Sequence, residues 1–132
     1  MEHERMEELT AEACWEVLAG QPVGRLAYVL DGEVNIVPIN HAVRDGQIVF
    51  ETGQGSKLLG IDEQGTVAYE VDRIEDREST SVVVRGFATA LEGAEADTAA
   101  SGVHPWIEGD KPEVMVIVPS TVTGRRYRYR RG

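Results

Sequence analysis

Residues 23–40 read VGRLAYVLDGEVNIVPIN, and this stretch decides the fold class. It contains two runs of β-forming residues on either side of Asp31-Gly32, a dipeptide typical of a two-residue hairpin turn. A second pair of this kind, Asp45-Gly46, precedes another β-forming run at residues 47–52. Two such turns between apolar runs predict an antiparallel meander.

The rest of the chain extends this meander. Further strands are predicted at residues 66–71, 81–91, 114–118 and 120–130. Helices are predicted from the Thr10 cap to Gly20, at residues 57–62 and at residues 92–101, followed by a loop at 102–112. Gly86 inside a strand is expected at a bulge or a bend. Six or seven strands without βαβ alternation predict a mainly β, antiparallel barrel.

Length and charge limit the partners of the chain. Its 132 residues are the size of one domain, and a formal net charge of -10 argues against nucleic acid or an anionic membrane as a partner. Glutamates crowd the N-terminal end and arginines crowd the last eight residues. We expect residues 1–8 to be a flexible acidic lead, 9–126 a single domain and 127–132 a basic tail.

Cysteine usage and hydropathy indicate the compartment. Cys14 is the single cysteine, so no intrachain disulfide can form, and a reducing, cytoplasmic location is expected. Cys14 falls on the apolar face of the first predicted helix, which favours a buried, inert thiol over a nucleophile. No apolar run approaches the ~20 residues of a membrane span, and the acidic N-terminus lacks a signal core.

Residues 52–57, TGQGSK, have the composition of a phosphate cradle. Glycines allow backbone N–H groups to approach an anion, and Thr52, Ser56 and Lys57 add two hydroxyls and a cation. The spacing is not that of a Walker loop. A plain strand-to-helix turn explains the segment equally well.

Pro38 lies inside the predicted strand at residues 33–40. Because proline cannot donate to a ladder, it predicts a strand edge or a bulge, where a flat ligand could meet free backbone groups.

The spacing of His3, His41 and His104 matches no metal motif. Trp106 lies in the predicted loop, where core packing, dimer packing and a lid over an aromatic ligand are all open.

Six segments, in this order and spacing, resemble the FMN-binding split barrels of the pyridoxamine 5'-phosphate oxidase-like family, in its short actinobacterial-type members. They are PVGRL at 22–26, VPIN at 37–40, TGQGSKL at 52–58, SVVVRG at 81–86, HPW at 104–106 with Gly109-Asp110, and VTGRR at 122–126. The resemblance implies an antiparallel, six- to seven-stranded split barrel. It also implies a homodimer with FMN at the subunit interface, acting as an oxidoreductase on an unknown small molecule.

The resemblance further implies which residues contact the cofactor. Those along the isoalloxazine ring and the ribityl chain are Val37, Pro38, Ile39 and Asn40. Those at the phosphate are Thr52, Ser56, Lys57 and Leu58. Trp106 of the partner subunit packs near the ring.

Two departures from the family pattern keep alternatives open. Asn35 and Asn40 stand where the larger enzymes carry basic residues. The tail lacks their arginine- and histidine-rich substrate motif, so oxidation of pyridoxamine phosphate is not expected. Deazaflavin and haem are alternative cofactors, with His41 or His104 as the axial ligand of a haem. A flavin-binding dimer without turnover, as a sensing module, is the alternative to an enzyme.

Overall fold

The computed structural model describes residues 3–53, 57–61, 65–93 and 113–129. The described elements are, in chain order, β1 (His3–Glu8), α1 (Ala11–Gly20), β2 (Val23–Leu30), β3 (Glu33–Asn40), β4 (Ala42–Arg44), β5 (Gln47–Thr52), a 3-10 helix (Lys57–Gly60), β6 (Thr66–Ile74), β7 (Glu78–Leu91) and β8 (Glu113–Tyr129). Helix α1 begins at the predicted cap, where Thr10 Oγ1 accepts a hydrogen bond from the Ala13 N–H at 3.1 Å. The predicted helix at 92–101 and loop at 102–112 lie almost entirely outside the described residues.

The strands form one antiparallel sheet in the order β3-β2-β6-β7-β8-β5-β4, and β1 also pairs with β8. The predicted mainly β, antiparallel split barrel is therefore confirmed. The described residues hold eight strands instead of six or seven, because β1 and the short β4 were not predicted and residues 113–129 form one strand where two were predicted, at 114–118 and 120–130. Within the described part of the chain, no helix is long and apolar enough to span a membrane.

The two chain ends correct the prediction most clearly. We expected a frayed lead before residue 9, but β1 pairs with β8 from His3 opposite Tyr129 to Glu8 opposite Arg125. Cross-strand charge pairs explain this, since Arg126 Nη1 lies 3.1 Å from Glu7 Oε1. Residues 127–129, predicted as tail, are therefore part of the sheet.

Strand β8 continues through Pro119 because the sheet is irregular at this point. The register of β7 and β8 shifts between Arg85 and Gly86, so the bulge or bend predicted at Gly86 is confirmed. Gly86 lies opposite Pro119, and a Cβ built on it would stand 2.0 Å from the Val118 carbonyl oxygen. Only glycine permits so close an approach of the two backbones.

A corner at His41 joins the two ends of the sheet. Strand β3 pairs with β2 at one end of the strand order, and β4 pairs with β5 at the other end. Only His41 separates β3 from β4, so the chain passes from one end of the sheet to the other at this residue. The sheet must therefore curl, and its concave face encloses the core with α1.

Hydrogen bonds fasten this corner to the helix and to β6. The buried His41 ring donates from Nε2 to the Leu18 carbonyl at 2.8 Å, and its Nδ1 accepts from the Tyr69 hydroxyl. The same hydroxyl lies 3.2 Å from the Ile39 carbonyl oxygen, and the His41 N–H donates to the Pro22 carbonyl at 3.0 Å. Burial lowers the pKa of His41, which favours the neutral ring that these bonds require.

Gly24 makes room for this arrangement. A Cβ at Gly24 would lie 2.4 Å from Cζ of Tyr69 and 2.8 Å from the Glu70 carbonyl oxygen. Any larger residue would displace the Tyr69 ring, which is fully buried. Gly24 therefore allows the Tyr69 hydroxyl to reach His41, and this explains one residue of the PVGRL segment.

We expect the corner to weaken in acid. Since the pKa of His41 is lowered from 6.5 in the folded state, the unfolded chain takes up the proton first. The contribution of His41 to stability is complete above about pH 6.5 and is lost as the pH falls through the folded-state pKa. Urea unfolding at pH 7.5 and 5.5 should show a larger loss in the wild type than in His41→Gln.

The control for this experiment is His3→Gln, which removes a histidine of β1 that pairs with Tyr129 of β8. At pH 7.5, His41→Gln should be less stable than the wild type by about 1–3 kcal/mol, because buried polar groups lose their partners. Equal pH dependence in the wild type and His41→Gln would contradict this role of His41.

Candidate functional site

The backbone edge of β3 is the first part of the site. Strand β3 ends the strand order of the described sheet, so the edge position predicted from Pro38 is confirmed. Pro38 pairs with Arg25 of β2. Because proline has no N–H to give, its backbone must point away from β2, and the alternation of an antiparallel ladder turns the backbone groups of Ile36 and Asn40 the same way. This edge therefore offers N–H donors and carbonyl acceptors in a row.

Side chains of residues 37–40 alternate between the core and the surface. Ile39 is buried, and Val37 is half-buried and packs against the same core. Pro38 is exposed and Asn40 is half-buried on the other side. A ligand that lies along this edge would therefore meet the outward-facing backbone groups of Pro38 and Asn40, whereas the Val37 and Ile39 side chains pack on the core side.

The end of β5 faces the β3 edge across the split in the barrel. Strands β3 and β5 are in contact but are not paired. In the β4–β5 ladder Ala42 lies opposite Val49 and Arg44 opposite Gln47. Continued past His41, this register would bring Asn40 toward Glu51 and Ile39 toward Thr52. Strand β3, which carries the predicted residues 37–40, and strand β5, which carries Thr52, are therefore in contact.

The predicted phosphate residues are placed in part. Thr52 is half-buried at the end of β5. The helix predicted at 57–62 is a four-residue 3-10 helix that begins at Lys57. Leu58 is buried in the main core. Ser56, Trp106 and the Lys57 side chain lie outside the part of the chain that the structure describes.

Sequence reasoning missed Glu51 as a residue of this opening. Its side chain is 7% exposed, and Oε2 has no hydrogen-bond partner within the described residues. Burial raises the pKa of this carboxyl. The available signal is a glutamate directly after the apolar run at 48–50, next to the predicted phosphate ligand Thr52.

A haem held by His41 does not fit this site. An axial ligand needs a free ring nitrogen, but both ring nitrogens of His41 are engaged, one with Leu18 and one with Tyr69. His104, the other ligand considered, lies outside the described residues. Among the described side chains, no cluster of three His, Cys, Asp or Glu residues could hold a metal ion. A flat ligand with hydrogen-bonding edges fits the β3 strand better.

Comparison with known proteins places this geometry in a family. The family model of pyridoxamine 5'-phosphate oxidase matches residues 10–126. The uncharacterised protein Rv0080 of Mycobacterium tuberculosis is 32% identical over 127 residues, which cover 90% of this chain and 84% of that protein.

Two solved structures share the whole fold. The FAD binding protein from Mycobacterium smegmatis is similar with a TM-score of 0.81 and 31% identity, over 94% of this chain and 100% of that one. An FAD-binding protein from Mesorhizobium loti is similar with a TM-score of 0.76 and 27% identity, over 92% and 97% of the two chains. Since the family model extends from the start of α1 into β8, the chain belongs to the pyridoxamine 5'-phosphate oxidase family.

Proposed function

We propose that this protein binds a flavin in the opening between β3 and β5 and acts as a flavin-dependent oxidoreductase. The observation that carries the proposal is the backbone edge of β3, which no described strand pairs on the side away from β2 and where the Pro38 backbone is turned outward. FMN is the flavin expected from the sequence, and the two similar structures are of proteins that bind FAD. Both flavins share the ring, the ribityl chain and the first phosphate.

Different residues would bind different parts of the flavin. Backbone groups of β3 would meet the donors and acceptors on the pyrimidine edge of the ring. Thr52, Ser56 and Lys57 would hold the first phosphate. The flavin supplies the hydride chemistry, and the chain binds it, orients it and shields it from water. The same proposal includes a small molecule as the substrate and the cytoplasm as the location of the protein.

A homodimer is the second part of the proposal. The convex face of the sheet exposes large apolar side chains on β2, β3, β7 and β8: Val29, Val34, Ile36, Phe87 and Val118. Val34 and Ile36 are 80% and 66% exposed. An apolar face of this kind on a small domain favours association, and a second copy with two-fold symmetry presents the same face.

Lys57→Ala tests the phosphate end of the proposed site. Removing the cation should weaken FMN binding by ~1.5–3 kcal/mol, the scale of a charged hydrogen bond. Quenching of flavin fluorescence on titration measures the affinity. The control is Arg44→Ala, which removes an exposed cation from the far end of β4. If Lys57→Ala and the wild type bind FMN equally, Lys57 does not hold the phosphate.

Ile36→Lys tests the dimer. In a dimer formed through this face, the substituted lysine of each subunit would be buried without a partner of opposite charge, and two-fold symmetry places both lysines in the same interface. The variant should therefore sediment as a monomer where the wild type sediments as a dimer. Ile74→Lys is the matched control, since Ile74 is 77% exposed at the far end of the β6–β7 hairpin. A wild type of one chain mass, or a dimer that tolerates Ile36→Lys, would argue against this face as the interface.

A further inference from the structure

One hydroxyl group lies between two acceptors beside β3. The Tyr69 hydroxyl oxygen is in hydrogen-bond contact with Nδ1 of His41 and lies 3.2 Å from the Ile39 carbonyl oxygen. A phenol carries a single proton, so it donates to only one of the two acceptors at a time. Burial raises the pKa of Tyr69, so the hydroxyl keeps this proton at neutral and acidic pH.

The protonation state of His41 decides which acceptor the hydroxyl uses. Nε2 of the ring lies 2.8 Å from the Leu18 carbonyl oxygen and must carry a proton to donate to it. In the neutral ring Nδ1 is therefore an acceptor, and the Tyr69 hydroxyl donates to it. When Nδ1 takes up a proton from solvent, it donates to the Tyr69 oxygen instead. The hydroxyl can then turn and donate to the Ile39 carbonyl.

The Ile39 carbonyl belongs to the same peptide group as the Asn40 N–H. Ile39 pairs with Gly24, and its carbonyl points toward β2. Because a trans peptide is planar, the Asn40 N–H points the opposite way, to the outer edge of β3 where we propose that the flavin binds. A hydrogen bond to the carbonyl fixes the tilt of this group. It also polarises the N–H and makes it a stronger donor.

The titratable groups that share the core with the His41 ring are few. In the described part of the core they are Cys14 of α1, Tyr28 of β2 and Tyr69 of β6. Burial raises the pKa of Cys14 as it does that of Tyr69, so neither group becomes charged in acid. His41 is therefore the described core residue that gains a charge when the pH falls.

Charged residues of the elements around the ring point away from it or lie further along the strand. Those on the other face of their helix or strand are Glu12 and Glu16 of α1, Arg25 of β2, Glu33 of β3, Arg44 of β4, Glu51 of β5, and Glu70 and Asp72 of β6. Arg73 shares the face of Tyr69 but lies four residues along β6, where it pairs with Glu75 at 3.0 Å.

We propose that Tyr69 is a positioning residue for the strand edge that binds the flavin. Protonation of His41 turns the Tyr69 hydroxyl to the Ile39 carbonyl, and the Asn40 N–H becomes a stronger donor to the flavin ring. The inference rests on the proposed flavin function and deepens it, and neither side chain needs to touch the flavin. Flavin should therefore bind more tightly in acid, although the buried charge makes the fold itself less stable there.

The first test is titration of the full-length protein with FAD between pH 8 and pH 5, followed by flavin fluorescence. FAD is the probe because its diphosphate keeps the same charge over this range, whereas the phosphate monoester of FMN titrates near pH 6. The wild type should bind FAD about two- to tenfold more tightly at pH 5, the scale of one neutral hydrogen bond. Circular dichroism at each pH shows that the protein is folded.

Variants assign the effect to the hydroxyl. Tyr69→Phe removes the donor and His41→Gln removes the titrating ring, so the affinity of both should be independent of pH. Tyr28→Phe is the matched control, because it removes another buried phenol hydroxyl from the same core and should keep the gain in acid. A wild-type affinity that is constant or falls in acid would overturn the inference. So would a Tyr69→Phe protein that retains the gain.

NMR of the wild type without flavin tests the coupling by itself and needs no variant. The Asn40 amide shift should change with the same midpoint as the signals of the His41 ring. An Asn40 amide that does not follow His41 shows that the inference is wrong, even if the protein binds FAD. If the amide follows His41 but no flavin binds at any pH, the proposed function fails and the coupling through Tyr69 stands.

Discussion

The hydrogen bonds of the buried His41 ring are the interaction on which the rest of the structure depends. They hold one residue between β3 and β4, where the chain leaves one end of the sheet and joins the other. Leu18 fixes the ring from the helix, and Tyr69 fixes it from β6, an interior strand of the sheet. Without these hydrogen bonds, the position of β3 relative to β5 would no longer be fixed. The opening between the two strands would then change its shape.

The corner also connects the core to the candidate site. The Tyr69 hydroxyl that reaches His41 lies near the carbonyl oxygen of Ile39, within the strand that we propose to bind the flavin. Gly24 admits the Tyr69 ring, so a glycine of β2 has an indirect effect on the geometry of β3. Neither His41 nor Tyr69 needs to touch the cofactor to influence its binding, because they set where the β3 edge lies.

Local signals in the sequence predicted most of the barrel. Asp31-Gly32 and Asp45-Gly46 adopt left-handed backbone at both turns, and β2, β3 and β5 begin and end at the predicted residues. The pairing of β1 with β8 could not be predicted in this way, since it joins residues more than a hundred positions apart. Pro119 led to the wrong prediction of two strands in place of β8. The strand continues through the proline because the register of β7 and β8 is irregular at Gly86, the residue opposite Pro119.

The features of the candidate site likewise fall into those that the sequence predicted and those that only the folded structure reveals. Pro38 and Thr52 were predicted from residue type and from a family resemblance, and they lie on two strands, β3 and β5, that are in contact but not paired. The burial of Glu51 at the end of β5 was not predictable, because burial depends on strands that the fold brings together from distant parts of the sequence. Likewise, only the structure shows that His41 has no ring nitrogen free for a haem.

The central claim is that this barrel holds a flavin, and the most direct measurement is the visible spectrum of the purified protein across a gel-filtration peak, before and after addition of FAD and FMN. The account predicts a flavin band near ~450 nm that elutes with the protein at the mass of two chains. A colourless protein peak, with all added flavin eluting later as free ligand, would contradict it.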